Sequence, residues 1–304
     1  MKDFRTTITF IYAYENEEWS TPMALAKEFK SRGWTVKFVS IGSNRLMNWN
    51  DAKLNEWAES DPKSDIVLFM DWGRFDSPKL DKKTLPEAFW VQESGDDPQN
   101  FERNYPKAKK FDITLSPDAD AVEEYKNRGI NAHWWTHFAD TRVQFPIQTK
   151  PEYVAVTTRG LGSSKFLDTL TEHGQGSIGN RNNLDYKEHT EFLNKGMMVV
   201  QNSRWGEITR RIFEGMACGK MILCDRLAES KRLHELFDEG EEIVFYDDIV
   251  DCINKINYYV EHPDEREEIA KNGYDVVLNH HTQKHRVDFI IKKWKEWQKL
   301  KDGM

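Results

Sequence analysis

The sequence predicts an α/β protein made of two doubly wound units, and three observations carry that expectation. Apolar, β-rich runs alternate with segments of helical period in both halves of the chain. At 304 residues the chain is long enough for two domains of ordinary size, each with its own core. A polar connector bounded by prolines, Pro146 to Pro151, interrupts the pattern near the middle.

Composition narrows the class. The formal net charge is −8, which argues mildly against a dedicated nucleic-acid coat but leaves room for a local basic cleft. Cys218, Cys224 and Cys252 show neither metal nor disulfide spacing and suit a reducing compartment. Nothing near the N-terminus resembles a signal peptide, and no apolar run approaches a membrane span. The expectation is a soluble, cytoplasmic protein without integral membrane association. Eleven tryptophans fit either a bulky core or stacking platforms for sugars or bases.

In order, Thr6–Tyr14 reads as a first buried strand. Ser20-Thr21-Pro22 signals a helix start with proline near the first helical position. Met23, Leu25, Ala26 and Phe29 supply the apolar face of that helix, Gly33 closes it, and Trp34–Ile41 is a second strand. Strand, helix and strand at this spacing imply a parallel βαβ unit. Asp65–Met70, Ala88–Val91 and Ile113-Thr114-Leu115 are further short strands, and Ala121–Asn127 is a helix stopped by Gly129.

In such a sheet, ligands bind beyond the carboxyl ends of the strands. Two of those ends carry polar clusters, Asp71-Trp72-Gly73-Arg74 and the run from Gln92 to Phe101. The second contains Glu93 and Asp96. Turn chemistry alone also accounts for Gly95-Asp96-Asp97-Pro98.

The second half opens with the strand Tyr153–Thr157 and a Gly- and Ser-rich turn, Thr158 to Lys165, that runs into the helix Phe166–Leu170. Bare backbone amides at a helix start bind anions, which makes Arg159 and Lys165 candidates for a diphosphate. The glycine-to-lysine spacing is not that of a Walker A loop. Gly174 to Gly179 matches G-x-G-x-x-G literally but follows a helical pattern rather than a strand, so it reads as a helix end entering a strand. His280, His281 and His285 lack a carboxylate at ligand spacing and are assigned to structure.

The stretch Glu207 to Asp225 is the most informative. At helical period Ile208, Ile212, Phe213 and Met216 fall on one side, while Glu207, Arg210, Arg211 and Glu214 share a polar stripe. Gly219 stands where a left-handed helix end is expected, and Met221–Cys224 reads as a buried strand. Charged pairs four apart also decorate solvated helix faces. The alternative is a site for an anionic, hydroxyl-rich ligand. The tail, Val287 to Leu300, is an amphipathic helix with Phe289, Ile290, Trp294 and Trp297 near one face.

Arg211 to Lys220 (R-x-F-E-G-M-A-C-G-K), Asp225-Arg226 and Leu233 to Phe237 resemble the donor-binding half of GT-B glycosyltransferases, the group called CgeB-like or glycosyl transferases group 1. Gly240-Glu241-Glu242, Tyr246, Ile256 to Tyr259, His262 to Arg266, Ile269-Ala270, Gly273, His281-Thr282 and Arg286 continue the ordered series. The resemblance covers the last hundred residues or so well and the front half loosely. It implies two Rossmann-like domains facing a central cleft, residues 1–148 and 149–285, with the C-terminal helix 286–304 crossing back to the first.

The resemblance further implies transfer of a sugar from a nucleoside-diphosphate sugar to a hydroxyl acceptor, without a cofactor or bound metal. Glu214 would accept the ribose hydroxyls, and Arg159, Lys165 and Arg211 would meet the diphosphate charge. Glu207 and Arg210 would line the donor site, and His137 would reach the sugar. The loop after Phe89-Trp90-Val91 would supply an acceptor-side base, Asp96 or Glu93, with Asp97 beside Asp96 raising its proton affinity. The spacing Glu207 to Glu214 departs from the E-x7-E pattern of many retaining relatives, so Glu207 does not simply inherit the sugar contact and the stereochemistry stays open. The acceptor is a glycan, a small molecule or modified DNA. A DNA-base glucosyltransferase of the phage kind and a non-catalytic nucleotide- or carbohydrate-binding module are the alternatives.

Overall fold

The structure is a computed structural model that describes residues 6–12, 20–43, 48–49, 51–71, 75–158, 165–173, 177–181 and 184–303. The chain divides into two units, Met1–Thr136 with Lys284–Met304, and His137–Gln283.

The first unit is a parallel six-stranded sheet. Its elements are β1 (Thr7–Tyr12), α1 (Thr21–Ser31), β2 (Thr35–Ser40), the short pair β3 (Gly42–Ser43) and β4 (Asn48–Trp49), α2 (Ala52–Glu59), β5 (Ile66–Asp71), β6 (Phe89–Ser94), α3 (Phe101–Ala108), β7 (Ile113–Ser116), α4 (Ala119–Asn127) and β8 (Ala132–Trp134). The strand order is β2-β1-β5-β6-β7-β8. The order reverses between β1 and β5, which sets the switch-point crevice beyond their carboxyl ends. Local rules account for the helices. Ser20 stands at the N-cap of α1 with proline in its first turn, and the Asp118 carboxylate accepts from Ala121 N at 2.9 Å to cap α4. Both faces of the sheet are covered, so the strands read as continuous apolar runs with Ile8, Phe10, Val67, Phe69 and Trp90 fully or almost fully buried.

The second unit holds β9 (Tyr153–Thr158), α5 (Lys165–His173), β10 (Ile178–Arg181), α6 (Tyr186–Asn194), β11 (Gly196–Gln201), α7 (Arg210–Ala217), β12 (Met221–Asp225), β13 (Val244–Tyr246), α8 (Ile249–Glu261) and α9 (Pro263–His280). Its strands are parallel in the order β10-β9-β11-β12-β13, with the switch point between β9 and β11. The segment after His137 belongs to this unit: Thr190 Oγ1 donates to Val143 O at 2.8 Å and Asn194 Nδ2 to Phe145 O at 3.1 Å. The unit boundary therefore falls ahead of the Pro146–Pro151 connector.

The α7 helix ends in a Schellman turn. Gly219 has φ +69°, its N–H reaches Met216 O at 2.8 Å, and Lys220 N reaches Gly215 O at 3.1 Å. Gly215 lets α7 lie directly on the sheet, since a Cβ there would come within 2.6 Å of Ile222 Cδ1.

The last helix, α10 (Gln283–Lys301), returns to the first unit as the resemblance implies. Trp294 packs on Trp34 with ring centroids 5.3 Å apart, and Trp297 on Phe89 at 5.6 Å. At its start Arg286, buried, donates from Nε to Thr136 O at 2.7 Å. No helix among the described residues is long and apolar enough to cross a membrane.

Candidate functional site

In the second unit the charged groups gather around α7 and the ends of β11 and β12. Glu214, on the second turn of α7, is buried, with 7% of its surface exposed. Its Oε1 pairs with Arg210 Nη2 at 3.0 Å, and His189 Nε2, from α6, stands 4.0 Å from Oε2. Burial alone would raise the Glu214 pKa. The fields of Arg210, His189, Arg211 and His137 outweigh it and hold the carboxylate below its ordinary value. Burial in turn pushes the His189 pKa down, against the raising field of Glu214 and with Arg210 and Arg211 adding to the effect. The result is a sunken, ionised carboxylate with lone pairs to offer hydroxyl donors.

Arg211 points a different way. Its Nη1 donates to Gln201 Oε1 at 2.9 Å, at the carboxyl end of β11. Burial lowers its proton affinity while Glu214, Glu207 and Asp225 raise it, and a guanidinium stays charged under such conditions. Gln201 is fully buried, its backbone oxygen accepts from Tyr246 OH at 2.7 Å, and its Nε2 has no hydrogen-bond partner among the described residues. The Arg211 guanidinium is thus held against a strand end at the switch point.

Glu207 departs from the expected stripe. The helix begins at Arg210 with Thr209 at its N-cap, because Gly206 takes φ +68° and breaks the helical path. Glu207 lies on the preceding loop, where its Oε2 accepts from Trp205 N at 2.7 Å. Burial raises its pKa, and the nearby Asp225 adds to that. Arg210 and Glu214 remain paired on the helix, so the expected four-residue stripe divides into a helix pair, a strand-end arginine and a loop carboxylate. His137 is half-buried and contributes its field to Glu214.

Lys165 is exposed on the first turn of α5 and makes no ion pair among the described residues. Arg159 lies outside the described residues, as do Trp72, Gly73 and Arg74. His281 sits between Phe213 and Phe237, with ring centroids 5.5 and 5.4 Å away, which suits a packing role. Among the described residues no group of three or more His, Cys, Asp or Glu is arranged to hold a metal.

Sequence reasoning missed His189, Gln201 and the clamp on Ser203, whose N–H donates to both Asp225 oxygens at 3.0 Å. The capping box Asp185…Glu188 announces α6, and the run Met197 to Val200 ending in Gln201 announces β11.

In the first unit the β6 loop separates its two aspartates. Asp96 is exposed with φ +56°, at the carboxyl end of the sheet, and Glu93 is buried on β6. Asp97 turns inward: Asn104 Nδ2 donates to its Oδ1 at 3.1 Å and Ser116 Oγ to its Oδ2 at 3.0 Å. Burial pushes the Asp97 carboxyl up to about 6, against the lowering effect of hydrogen bonds from Ser94, Asn104, Ser116 and Tyr125.

A stability test follows from that carboxyl. The folded protein holds the Asp97 proton more tightly than the unfolded chain, where the pKa is 3.8. Its contribution to stability is full below the unfolded value and is lost as pH rises through about 6. The unfolding free energy of the wild type relative to Asp97→Asn should therefore fall between pH 4 and 7, by about 3 kcal/mol at most at ~1.4 kcal/mol per tenfold change in proton affinity. Urea unfolding at several pH values measures it, and a pH-independent difference contradicts the buried acid.

Comparisons with known proteins bear on the second unit and on the fold. Residues 156–292 match the family model Glyco_trans_1_2, described as glycosyl transferase-like. The sucrose-phosphate synthase of Thermosynechococcus elongatus superposes with a TM-score of 0.67 at 10% identity, covering 99% of this chain and 100% of that one. Anabaena HepE in complex with UDP-glucose gives 0.67 at 10% identity, over 96% of this chain and 100% of its own. This is the GT-B glycosyltransferase fold. The DNA-modifying enzyme β-glucosyltransferase is similar too, with a TM-score of 0.60 at 12% identity over 97% of this chain and 98% of that one. No curated protein sequence matches the chain. The GT-B resemblance read between Arg211 and Arg286 is thus met both by the family model and by the fold.

Proposed function

We propose that the protein is a glycosyltransferase that moves a sugar from a nucleoside-diphosphate sugar to a hydroxyl acceptor, and that its second unit binds the donor. The observation that carries this reading is the buried, ionised Glu214 beside Arg210 and Arg211 within the glycosyl transferase-like segment. Ribose hydroxyls are donors that such a carboxylate accepts. Breaking the anomeric C–O bond puts negative charge on the departing diphosphate, and a fixed guanidinium at the strand end meets it as it grows. Arg211 takes that part, with Lys165 and Arg159 as further candidate cations. His137 is assigned to the sugar, and Asp96 and Glu93 to the acceptor. No metal is needed where side-chain cations neutralise the leaving group.

The structural relatives include proteins in complex with UDP-glucose or UDP, which supports a uridine nucleotide as the first donor to try. The test is release of nucleoside diphosphate from a panel of nucleotide sugars, with a glycan, a small-molecule alcohol or hydroxymethylated DNA as acceptor. Release that depends on one acceptor and survives a strong chelator is the expected result. Binding without turnover across the panel instead favours the non-catalytic module, and loss of activity on chelation overturns the metal-free reading.

A further inference from the structure

We propose that Arg204 and Trp205 form a stacking platform for the sugar ring of the donor, and that Glu207 and Asp225 clamp the loop that carries them. This rests on the donor reading above and adds to it the group that recognises the sugar.

The loop between β11 and α7 is pinned at two points. Near its start, Ser203 donates its N–H to both oxygens of Asp225, and its hydroxyl to the same carboxylate. Two residues on, Trp205 donates its N–H to Glu207 Oε2 at 2.7 Å, with Gly206 turning the chain between them in the left-handed region. Both carboxylates are disfavoured as anions by burial, and both still hold backbone amides.

What this fixed loop presents to solvent is its largest side chain. The Trp205 indole is 44% exposed, and the Arg204 guanidinium lies 4.4 Å from its ring centroid. A single exposed tryptophan is ordinary on a protein surface, and what marks this one is the clamped backbone that carries it. An indole face takes the C–H face of a pyranose, and the guanidinium beside it gives the pair a positive charge.

The direction of the donor along α7 says which part reaches the platform. Glu214 stands on the second turn and Arg211 on the first, about 4.5 Å apart along the axis. Ribose on Glu214 and diphosphate on Arg211 send the next group, the sugar, toward the loop before the helix, and the nucleobase the opposite way. Trp205 and Glu207 occupy that loop. Glu207 then acts through Trp205 as a positioning residue.

The experiment is titration calorimetry on the full chain with UDP-, GDP- and ADP-glucose and with each free nucleoside diphosphate. Trp205→Ala should weaken the nucleotide sugar that binds by about fivefold and leave its free diphosphate within about twofold. Trp205→Phe should retain most of the affinity. Glu207→Ala should show the same selectivity, and the double variant should lose no more than Trp205→Ala alone. Equal loss of sugar nucleotide and free diphosphate, or no change in either, overturns the platform while leaving the donor site standing. Additive losses in the double variant overturn the positioning role of Glu207. A wild-type chain that binds none of the panel overturns the donor reading and the platform with it.

Discussion

Glu214→Ala is expected to weaken binding of the donor nucleotide by roughly a hundredfold, about 3 kcal/mol, the scale of a lost charge-assisted hydrogen-bond pair. The side chain is buried, ionised and flanked by Arg210 and His189, so its removal does two things. Ribose hydroxyls lose their acceptor, and Arg210 loses the carboxylate it pairs with. The conservative Glu214→Gln keeps one acceptor oxygen and should fall between the two. Calorimetry with UDP reports the change, with circular dichroism to show that the variants fold. Unchanged affinity in a folded variant returns the Arg210–Glu214 pair to an ordinary helix ion pair.

Arg211→Ala should lower turnover at saturating donor by about a hundredfold or more, the scale of removing one preorganised charge donor. Its guanidinium is held by Gln201 at the end of β11, so its orientation is set before the donor arrives. Charge on the diphosphate grows as the anomeric bond breaks, so the effect should fall on kcat more than on KM. Arg211→Lys keeps the charge without the fork and should recover only part of the rate. Normal turnover in Arg211→Ala would make the residue a structural partner of Gln201 and nothing more.

Much of the second unit was legible because its signals are local. The apolar face of α7, the stop at Gly219 and the strand after it follow from period and from glycine conformation. The helix α7 starts three residues beyond Glu207, because Ile208 continues the apolar spacing across a loop that Gly206 and Thr209 define. His189 was not legible as a site residue, since its partner Glu214 lies on another helix and only the fold joins them.

The same limit governs the β6 loop. Asp96 and Asp97 are neighbours with similar local prospects, and what separates them is Asn104, seven residues on, and Ser116, nineteen residues on. Those two donors draw Asp97 inward and leave Asp96 at the surface. The fold class and the returning helix α10 needed only pattern and resemblance, and tryptophans at Trp294 and Trp297 pack where an amphipathic face demands.

The most direct measurement of the central claim is a crystal structure of the protein with UDP bound. The account predicts the ribose hydroxyls on the Glu214 carboxylate at about 2.6–3.0 Å, with the diphosphate against Arg211 at the end of β11. A nucleotide bound elsewhere on the second unit, with Glu214 still paired only to Arg210, would contradict it.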